Sequence, residues 1–191
     1  MPTIIDKRLI SAQCDNLVPV KTVHSNPWFL VKNRGGYFTT EYRESQVIVL
    51  PVLKNESIIM VRAKRPVLND CPLELPAGNT HKNENPIFAA QRELFEETGI
   101  LINNVKRFVP LMPISNSPNR NPKLIHVFFI DITNEEYNLK KQHDQEIASV
   151  ECFTFENITE MLISGNIYIT IPMALVSRFL LTNRKKYDDK F

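Results

Sequence analysis

Residues 78–100 constrain the fold of this chain more than any other stretch, and they read GNTHKNENPIFAAQRELFEETGI. Asn85 and Pro86 suit the N-cap and the first turn of an α-helix, and Gly99 suits the residue just after a helix end. The sequence therefore predicts a helix over 86–98. Within it, the spacing i, i+3, i+4 places three carboxylates on one face, with side chains roughly 5–6 Å apart: Glu93, Glu96 and Glu97.

This acidic face predicts a site for a cation. Like charges at such spacing repel by about 0.2–0.5 kcal/mol per pair even on an exposed helix, so the cluster is unfavourable by itself. Mg²⁺ takes oxygen ligands and is commonly shared between carboxylates and substrate phosphates. Taken alone, Glu96 and Glu97 would be an ordinary solvated pair. The whole stretch instead indicates a metal site that handles phosphates.

Further residues at fixed intervals extend the pattern beyond the three carboxylates. The stretch has the form G-x5-E-x7-R-E-(apolar)-x-E-E-x-G-(apolar), and on these residues the chain resembles the Nudix hydrolase family, whose motif it matches at every fixed position. The resemblance implies an α/β fold, namely a Nudix-type α/β/α sandwich with a mixed β-sheet, here preceded by a strand-rich N-terminal leader. The matching residues are Gly78, Glu84, Arg92, Glu93, Leu94, Glu96, Glu97, Gly99 and Ile100.

The resemblance also implies roles for the residues of this motif. Mg²⁺ or Mn²⁺ would be the cofactor, bound by the side chains of Glu93, Glu96 and Glu97 and by the backbone carbonyl of Ala77. Arg92 would orient one of the glutamates through an ion pair, and its alternative is an exposed i,i+4 pair worth a few tenths of a kcal/mol. Structural roles within the motif fall to Gly78, Glu84 and Gly99.

The general base that activates water can come from the motif or from a later loop. Two later candidates are Glu146 and Glu151, in the segment HDQEIASVE. Glu146 precedes a predicted strand at the end of a loop, where catalytic groups often lie. A plain surface acid is the alternative reading. We predict Glu146 as the catalytic base beside the motif residues.

Upstream of the motif, the segment VRAKRPVLNDCPLELPAG resembles the corresponding part of ADP-ribose and related nucleoside-diphosphate-sugar pyrophosphatases. Cations favour phosphate oxygens, so basic residues in this segment would stand near the diphosphate or the nucleotide. For Lys64 and Arg65, solvated charges at a strand end are the alternative. The residues predicted to bind substrate are Arg62, Lys64, Arg65 and Glu74.

The loop 114–119 departs from the pattern of that subfamily. Asn119 stands where a glycine is usual, and Pro122 and Lys123 lie near the place of a glutamate that is missing here. The resemblance implies a metal-dependent hydrolase that cleaves the pyrophosphate bond of a nucleoside diphosphate linked to another moiety, such as ADP-ribose or a related nucleotide sugar. The departures leave other substrates open: a nucleoside triphosphate, a dinucleoside polyphosphate or coenzyme A. A non-catalytic Nudix-like binding module is a further alternative.

Composition limits the setting in which the protein works. The 191 residues carry a formal charge of only +2, so nothing indicates a nucleic-acid or membrane partner. The three cysteines are scattered and odd in number, which fits a reducing cytoplasm. We expect residues 1–44 to form the strand-rich segment and 45–191 the hydrolase domain. Relatives with a similar leader are often dimers, so we predict a homodimer through 1–44.

Local patterns predict the remaining elements. On the helix, Ile87, Ala90 and Leu94 form the apolar stripe, whereas Ala89 and the glutamates point to a different face. Residues 77–78 should form a turn after an extended piece at 72–76. Short strands are predicted around Trp28 and Leu30 and at 37–42, a hairpin at 46–53 and 57–62, strands near 105–111, 124–132 and 147–155, and closing helices at 157–164 and 172–181.

Overall fold

A computed structural model of the protein describes residues 6–188, with side chains described up to residue 182. The outer ends of both predicted segments, 1–44 and 45–191, therefore lie outside the described residues. Among the described residues, no helix is long and apolar enough to cross a membrane.

The N-terminal part forms an antiparallel sheet of three strands. After a 3₁₀ turn at Lys7–Leu9, the strands are β1 (Val20–Ser25), β2 (Phe29–Arg34) and β3 (Tyr37–Tyr42), in that order. The strand predicted at 37–42 is confirmed, β2 begins just after Trp28, and β1 was not predicted individually. Assigning this segment to dimerisation stays a prediction.

A second sheet of seven strands carries the rest of the chain. Its main order is β10-β5-β4-β9-β8, with β6 paired to β5 and β7 paired to β4. Strands β4 and β9 are parallel and the other pairs are antiparallel, so the sheet is mixed. The strands are β4 (Gln46–Leu53), β5 (Ser57–Ala63), β6 (Leu73–Glu74), β7 (Ala77–Asn79), β8 (Val109–Ile114), β9 (Ile125–Ile132) and β10 (Ile147–Thr154); the helices are α1 (Pro86–Thr98), α2 (Asn134–Asn138), α3 (Phe155–Ile163) and α4 (Thr170–Asp188).

Strand β4 shows how the sheet divides the core, because successive side chains of a strand point to opposite faces. Ile48, Leu50 and Val52 are buried with side chains of α3 and α4. Val47 and Val49 are buried with side chains of α1 on the other side. A mixed sheet between helical layers is the α/β/α sandwich that the family resemblance implied.

Helix α1 begins and ends where the sequence predicts. The side chain of Asn85 accepts the backbone N–H of Ile87, and Pro86 occupies the first turn. At the other end Gly99 has φ 73°, a left-handed conformation that costs glycine little, and its N–H donates to the carbonyl of Phe95. These two ends fix which residues face the sheet.

Three local predictions were wrong. Residues 77–78 are not a turn but part of β7, because they pair with β4. The strand predicted near 105–111 begins only at Val109, after a 3₁₀ turn in which the side chain of Asn104 accepts the backbone N–H of Lys106. Ala89 does not leave the core face but is fully buried beside Ala90, since α1 packs against both β4 and β7. Helix α2 was not predicted at all.

Strand β8 is the outer strand at one edge of the large sheet. It contains Pro110 and Pro113, and its pairing with β9 shifts register between Leu111 and Ile114. The guanidinium of Arg178 on α4 donates to the backbone carbonyl of Met112, at 2.9 Å.

Candidate active site

Arg92 joins the loop before α1 to the acidic face of the helix. Its Nη1 donates to Glu93 Oε1 at 2.7 Å and to Glu96 Oε2 at 2.8 Å. Its Nε and Nη2 donate to the two carboxylate oxygens of Glu84, at 3.1 and 3.0 Å. Nη2 also reaches the carbonyl of Asn79, at 2.9 Å, so one guanidinium holds three glutamates and strand β7 together.

Gly78 lets the carboxylate of Glu93 lie directly against the backbone of β7. A Cβ at this position would stand 2.1 Å from Glu93 Oε1 and 2.4 Å from Oε2, so any other residue here would displace the carboxylate of Glu93. Glu93 is buried as a result, and that burial raises the pKa of its carboxyl despite the nearby Arg92. The glycine of the motif is therefore required by a close approach rather than by a tight turn.

Glu97 lies one helical turn further along the same face. Its Oε2 accepts the backbone N–H of Ala77, at 3.2 Å. Burial raises the pKa of Glu97 to about 8, although this hydrogen bond favours the charged form. The structure thus places two carboxylates, the buried Glu93 and the partly buried Glu97, beside residues 77–78.

Arg65 brings a positive charge to this pair from the end of β5. Its Nε and Nη2 donate to both oxygens of Glu74, at 2.7 and 2.9 Å, in a bidentate ion pair. Hydrogen bonding to Glu74 raises the pKa of Arg65, and the charges of Glu97 and Glu146 act in the same direction. A cleft of about 210 Å³ opens here, lined in part by Arg65, Glu74, Ala77, Gly78, Asn79 and Asn116.

The other predicted substrate ligands contact protein groups instead. Arg62 donates to Glu151 Oε1 at 2.7 Å and to the carbonyl of Cys71 at 3.3 Å. Glu151 also accepts the hydroxyl of Ser149, so the structure ties up this second candidate base. Lys64 donates from its ammonium group to the carbonyl of Gln145, at 2.6 Å.

Glu146 is exposed and lines a second cavity, of about 580 Å³. This cavity borders the smaller cleft because Arg65 contributes to the walls of both. The structure therefore brings three of the predicted residues, Glu74, Glu97 and Glu146, around the guanidinium of Arg65, and it leaves Arg62 outside this group. Arg65 and Glu74 were both predicted as substrate ligands, but their ion pair was not, because no local pattern signals a contact between the end of β5 and β6.

The oxygen donors on and beside α1 suit a divalent cation that also binds waters and substrate. Among the described residues, no three His, Cys, Asp or Glu side chains are arranged to hold a metal by themselves. The reason on α1 is that Arg92 lies between Glu93 and Glu96. Mg²⁺, however, usually takes only one or two carboxylates and completes its shell with waters and substrate phosphates. Glu93 and Glu97 meet that requirement, since desolvation raises the pKa of both carboxyls and a cation would stabilise their charged forms.

Known proteins resemble this chain over much of its length. A family model described as the NUDIX domain matches residues 43–170. An ADP-ribose pyrophosphatase of Bacillus subtilis (strain 168) is 30% identical over 122 residues, which cover 64% of this chain and 64% of that protein. A methanol dehydrogenase activator of Bacillus methanolicus is 26% identical over 141 residues, covering 74% of this chain and 75% of the relative.

Two further matches differ in what they cover. An ADP-sugar pyrophosphatase of Mus musculus is 46% identical, but over only 57 residues, 28% of this chain and 26% of that protein. A solved structure titled as an ADP compounds hydrolase superposes with a TM-score of 0.65 at 16% identity, covering 91% of this chain and 95% of the other. At that identity the structural match speaks for the fold alone. The match to the Bacillus subtilis protein spans slightly less than two thirds of its length.

Proposed function

This chain belongs to the NUDIX domain family, and we propose from that premise that it is a metal-dependent hydrolase of pyrophosphate bonds. Its substrate is a nucleoside diphosphate linked to another moiety, and ADP-ribose or a related nucleotide sugar fits best. The observation that carries the proposal is a pair of carboxylates on α1, the buried Glu93 and the partly buried Glu97. They lie against residues 77–78, which form part of the wall of the cleft that Arg65 also lines. A site of this kind matches a substrate whose phosphates arrive with a cation.

The cation would be Mg²⁺ or Mn²⁺, held by Glu93, Glu97 and the backbone carbonyl of Ala77. Such a cation neutralises charge on phosphate oxygens and lowers the pKa of bound water. Glu96 contributes through Arg92, which binds it together with Glu84 and so fixes the direction of the helix face. In this arrangement Glu93 and Glu97 bind the cation, while the guanidinium of Arg92 neutralises and orients Glu96.

Arg65 is the cation best prepared for the diphosphate. Glu74 holds its Nε and Nη2, so the plane of the guanidinium is fixed before substrate arrives. Among the described residues Nη1 of Arg65 has no hydrogen-bond partner, which leaves that group for a phosphate oxygen. Removing this donor should weaken substrate binding more than it slows bond cleavage.

Glu146 acts as the general base in this proposal. It is exposed, it borders the cavity next to Arg65, and its carboxylate is not among the groups that Arg92 holds. A carboxylate that is free of a metal is the better proton acceptor, because a bound cation lowers basicity. The base takes a proton from the attacking water while the residues of α1 hold the phosphates.

The substrate assignment draws on the names of relatives as well as on the cleft. One relative is an ADP-ribose pyrophosphatase and another an ADP-sugar pyrophosphatase. The cleft adds Asn79 and Asn116, whose amide groups suit the hydroxyls of a sugar. Asn116 belongs to the loop 114–119, which departs from the subfamily pattern at Asn119.

A substrate panel tests the function directly. The purified protein is incubated with ADP-ribose, nucleotide sugars, nucleoside triphosphates, dinucleoside polyphosphates and coenzyme A, with Mg²⁺ or Mn²⁺ and in parallel with excess chelator. Chromatography of the products should give AMP and ribose 5-phosphate from ADP-ribose, and only with metal. Robust turnover in excess chelator would contradict the proposed metal dependence. If no substrate were turned over, a non-catalytic binding module would be favoured.

We place the protein in a reducing cytoplasm. All three cysteines, Cys14, Cys71 and Cys152, are free and partly buried, and a secreted chain of this size would more often pair them.

A further inference from the structure

The loop that carries Glu146 spans residues 139–146, between α2 and β10, and has no regular structure of its own. Such a loop would be expected to move, and a mobile base is a poor one because proton transfer needs an approach of about 2.6–3.2 Å. The question is therefore what holds this loop in place. Two groups of hydrogen bonds hold it, one to the end of α1 and one to Lys64, just after β5.

The first group joins the loop to the end of α1. The N–H of Lys141 donates to the carbonyl of Gly99 at 2.9 Å, and the N–H of Asp144 donates to the carbonyl of Glu96 at 2.8 Å. These bonds satisfy carbonyls that a helix end leaves without an intrahelical partner. They also couple the loop to the helix that presents the acidic face.

The second group comes from one residue, Lys64. Its backbone N–H donates to the carbonyl of Glu146 at 2.9 Å, and its ammonium group donates to the carbonyl of Gln145 at 2.6 Å. Two consecutive carbonyls are thus held by the backbone and the side chain of the same residue. Ile147, the residue after Glu146, begins β10 and pairs with Ala63 of β5. The contacts of Lys64 therefore lie directly beyond the end of the β5–β10 pairing.

We infer that Lys64 is a positioning residue, whose ammonium group fixes the backbone of the Glu146 loop against β5 and thereby sets the place of the base. The inference rests on the proposed function for its effect on turnover. Arg65, the next residue, turns instead toward Glu74 and the cleft. The two neighbouring cations therefore differ in role: Lys64 binds the loop, whereas Arg65 is placed to bind substrate.

Kinetics separate this role from direct substrate binding. Lys64→Met removes the ammonium donor while keeping the length of the side chain and the backbone N–H. We expect kcat to fall about 3–10-fold, the effect of one hydrogen bond of about 0.5–1.5 kcal/mol, with KM changed less than about twofold. Lys64→Arg should restore most of kcat. In a Glu146→Gln background, Lys64→Met should have almost no further effect on kcat, because the loop then has no base to place.

Hydrogen exchange tests the same inference without any turnover. In the full-length protein, amides of residues 139–146 should exchange roughly threefold or more faster in Lys64→Met than in wild type, above all those of Lys141 and Asp144. The matched control is Lys106→Met, since Lys106 is exposed in the turn at Val105–Arg107 and lines neither cavity. It should leave both exchange and kcat unchanged.

Two results would overturn the inference. One is unchanged exchange of residues 139–146 in Lys64→Met. The other is a rise in KM that is equally large with Glu146 and with Gln at that position, which would make Lys64 a substrate ligand. If the wild-type protein hydrolyses no diphosphate, the proposed function fails, and the exchange measurement still decides the role of Lys64.

Discussion

Glu97 is a carboxylate that the fold keeps in an unfavourable environment. Burial raises the pKa of its carboxyl to about 8. A hydrogen bond from the backbone N–H of Ala77 favours the charged form. A protein gains nothing in stability from such a residue, because a buried charge costs free energy unless it is paired. The cost becomes understandable if a cation completes the site.

We expect Glu97→Gln to abolish most turnover while the fold stays intact, since the change removes the charge of a metal ligand but little volume. Without metal, the variant should be at least as stable as wild type, and Mg²⁺ should raise its melting temperature less. Both are measured by steady-state kinetics and by thermal unfolding with and without Mg²⁺.

The matched control is Glu160→Gln, at an exposed position on α3. It should keep the activity and the Mg²⁺ response of the wild-type protein. A near-normal kcat of Glu97→Gln at saturating metal would remove Glu97 from the proposed site.

At the scale of elements, helix α1 was predicted to its first and last residue, whereas strand β7 was missed. The helix carries its own signals, Asn85 with Pro86 at one end and Gly99 at the other, and these act within a few residues. Strand β7 has only three residues, which read as a turn because of Gly78. Its extended form comes from pairing with β4, some thirty residues away in sequence, which no local pattern reveals.

The same limit applies to the candidate site. The sequence named the carboxylates of α1 and Arg92 because the motif lies within one helix and its preceding loop. It could not show that Glu74, Glu97 and Glu146 surround Arg65, since these residues come from different elements. The task of Lys64 was hidden for the same reason, because its partner Gln145 lies 81 residues along the chain.

The junction between α1 and the 139–146 loop depends on Gly99. Its φ is 73°, and an added Cβ would stand 2.0 Å from the carbonyl oxygen of Lys141. Gly99→Ala should therefore destabilise the protein by about 1–3 kcal/mol and lower kcat, because backbone strain and the displaced loop add up. Urea unfolding and steady-state kinetics measure the two effects.

Gly165 provides a control with the same backbone strain. Its φ is 78°, but nothing lies within 4 Å of an added Cβ. Gly165→Ala should cost stability through strain alone and leave kcat unchanged. Equal kinetic effects of the two substitutions would mean that contact with the loop plays no part.

At the scale of the whole molecule, the small sheet contains a buried charge cluster of its own. Glu41 accepts hydrogen bonds from Arg34 at 2.7 Å, Lys32 at 2.9 Å and Thr39 at 2.8 Å. Burial tends to raise the pKa of Glu41, but these three donors outweigh it and lower the pKa to about 2. The cluster joins β2 to β3 and makes the stability of this sheet depend on pH.

A carboxyl whose folded pKa is depressed stabilises the protein above its unfolded pKa of about 4.5, and the gain is lost as pH falls toward 2. Between pH 6 and pH 3 the Glu41 contribution should fall by about 2 kcal/mol. Urea unfolding at both values should show a smaller pH dependence for Glu41→Gln than for wild type. Identical pH dependence would mean that Glu41 is not held as described.

The small sheet also exposes five large apolar side chains at or next to its strands, and we propose that a second copy of the chain covers them. Phe38→Lys, at a residue 48% exposed, should shift the protein from dimer to monomer in light scattering coupled to size-exclusion chromatography. Ile163→Lys, at a residue 83% exposed on α3, is the control and should not. A wild-type monomer at micromolar concentration would contradict the proposal. The exposed side chains are Val20, Val23, Trp28, Tyr37 and Phe38.

The outer strand β8 of the large sheet limits which surfaces two copies of the chain can use to associate. The unpaired N–H and C=O groups of an open strand edge can pair with a strand of another molecule. Repeated pairing of this kind leads to fibrils. Strand β8 is a poor template: Pro110 and Pro113 lack N–H groups, the register shift interrupts the ladder, and Arg178 already binds the carbonyl of Met112. Its edge is thereby protected against strand-by-strand polymerisation, and an ordered assembly has to use a different surface.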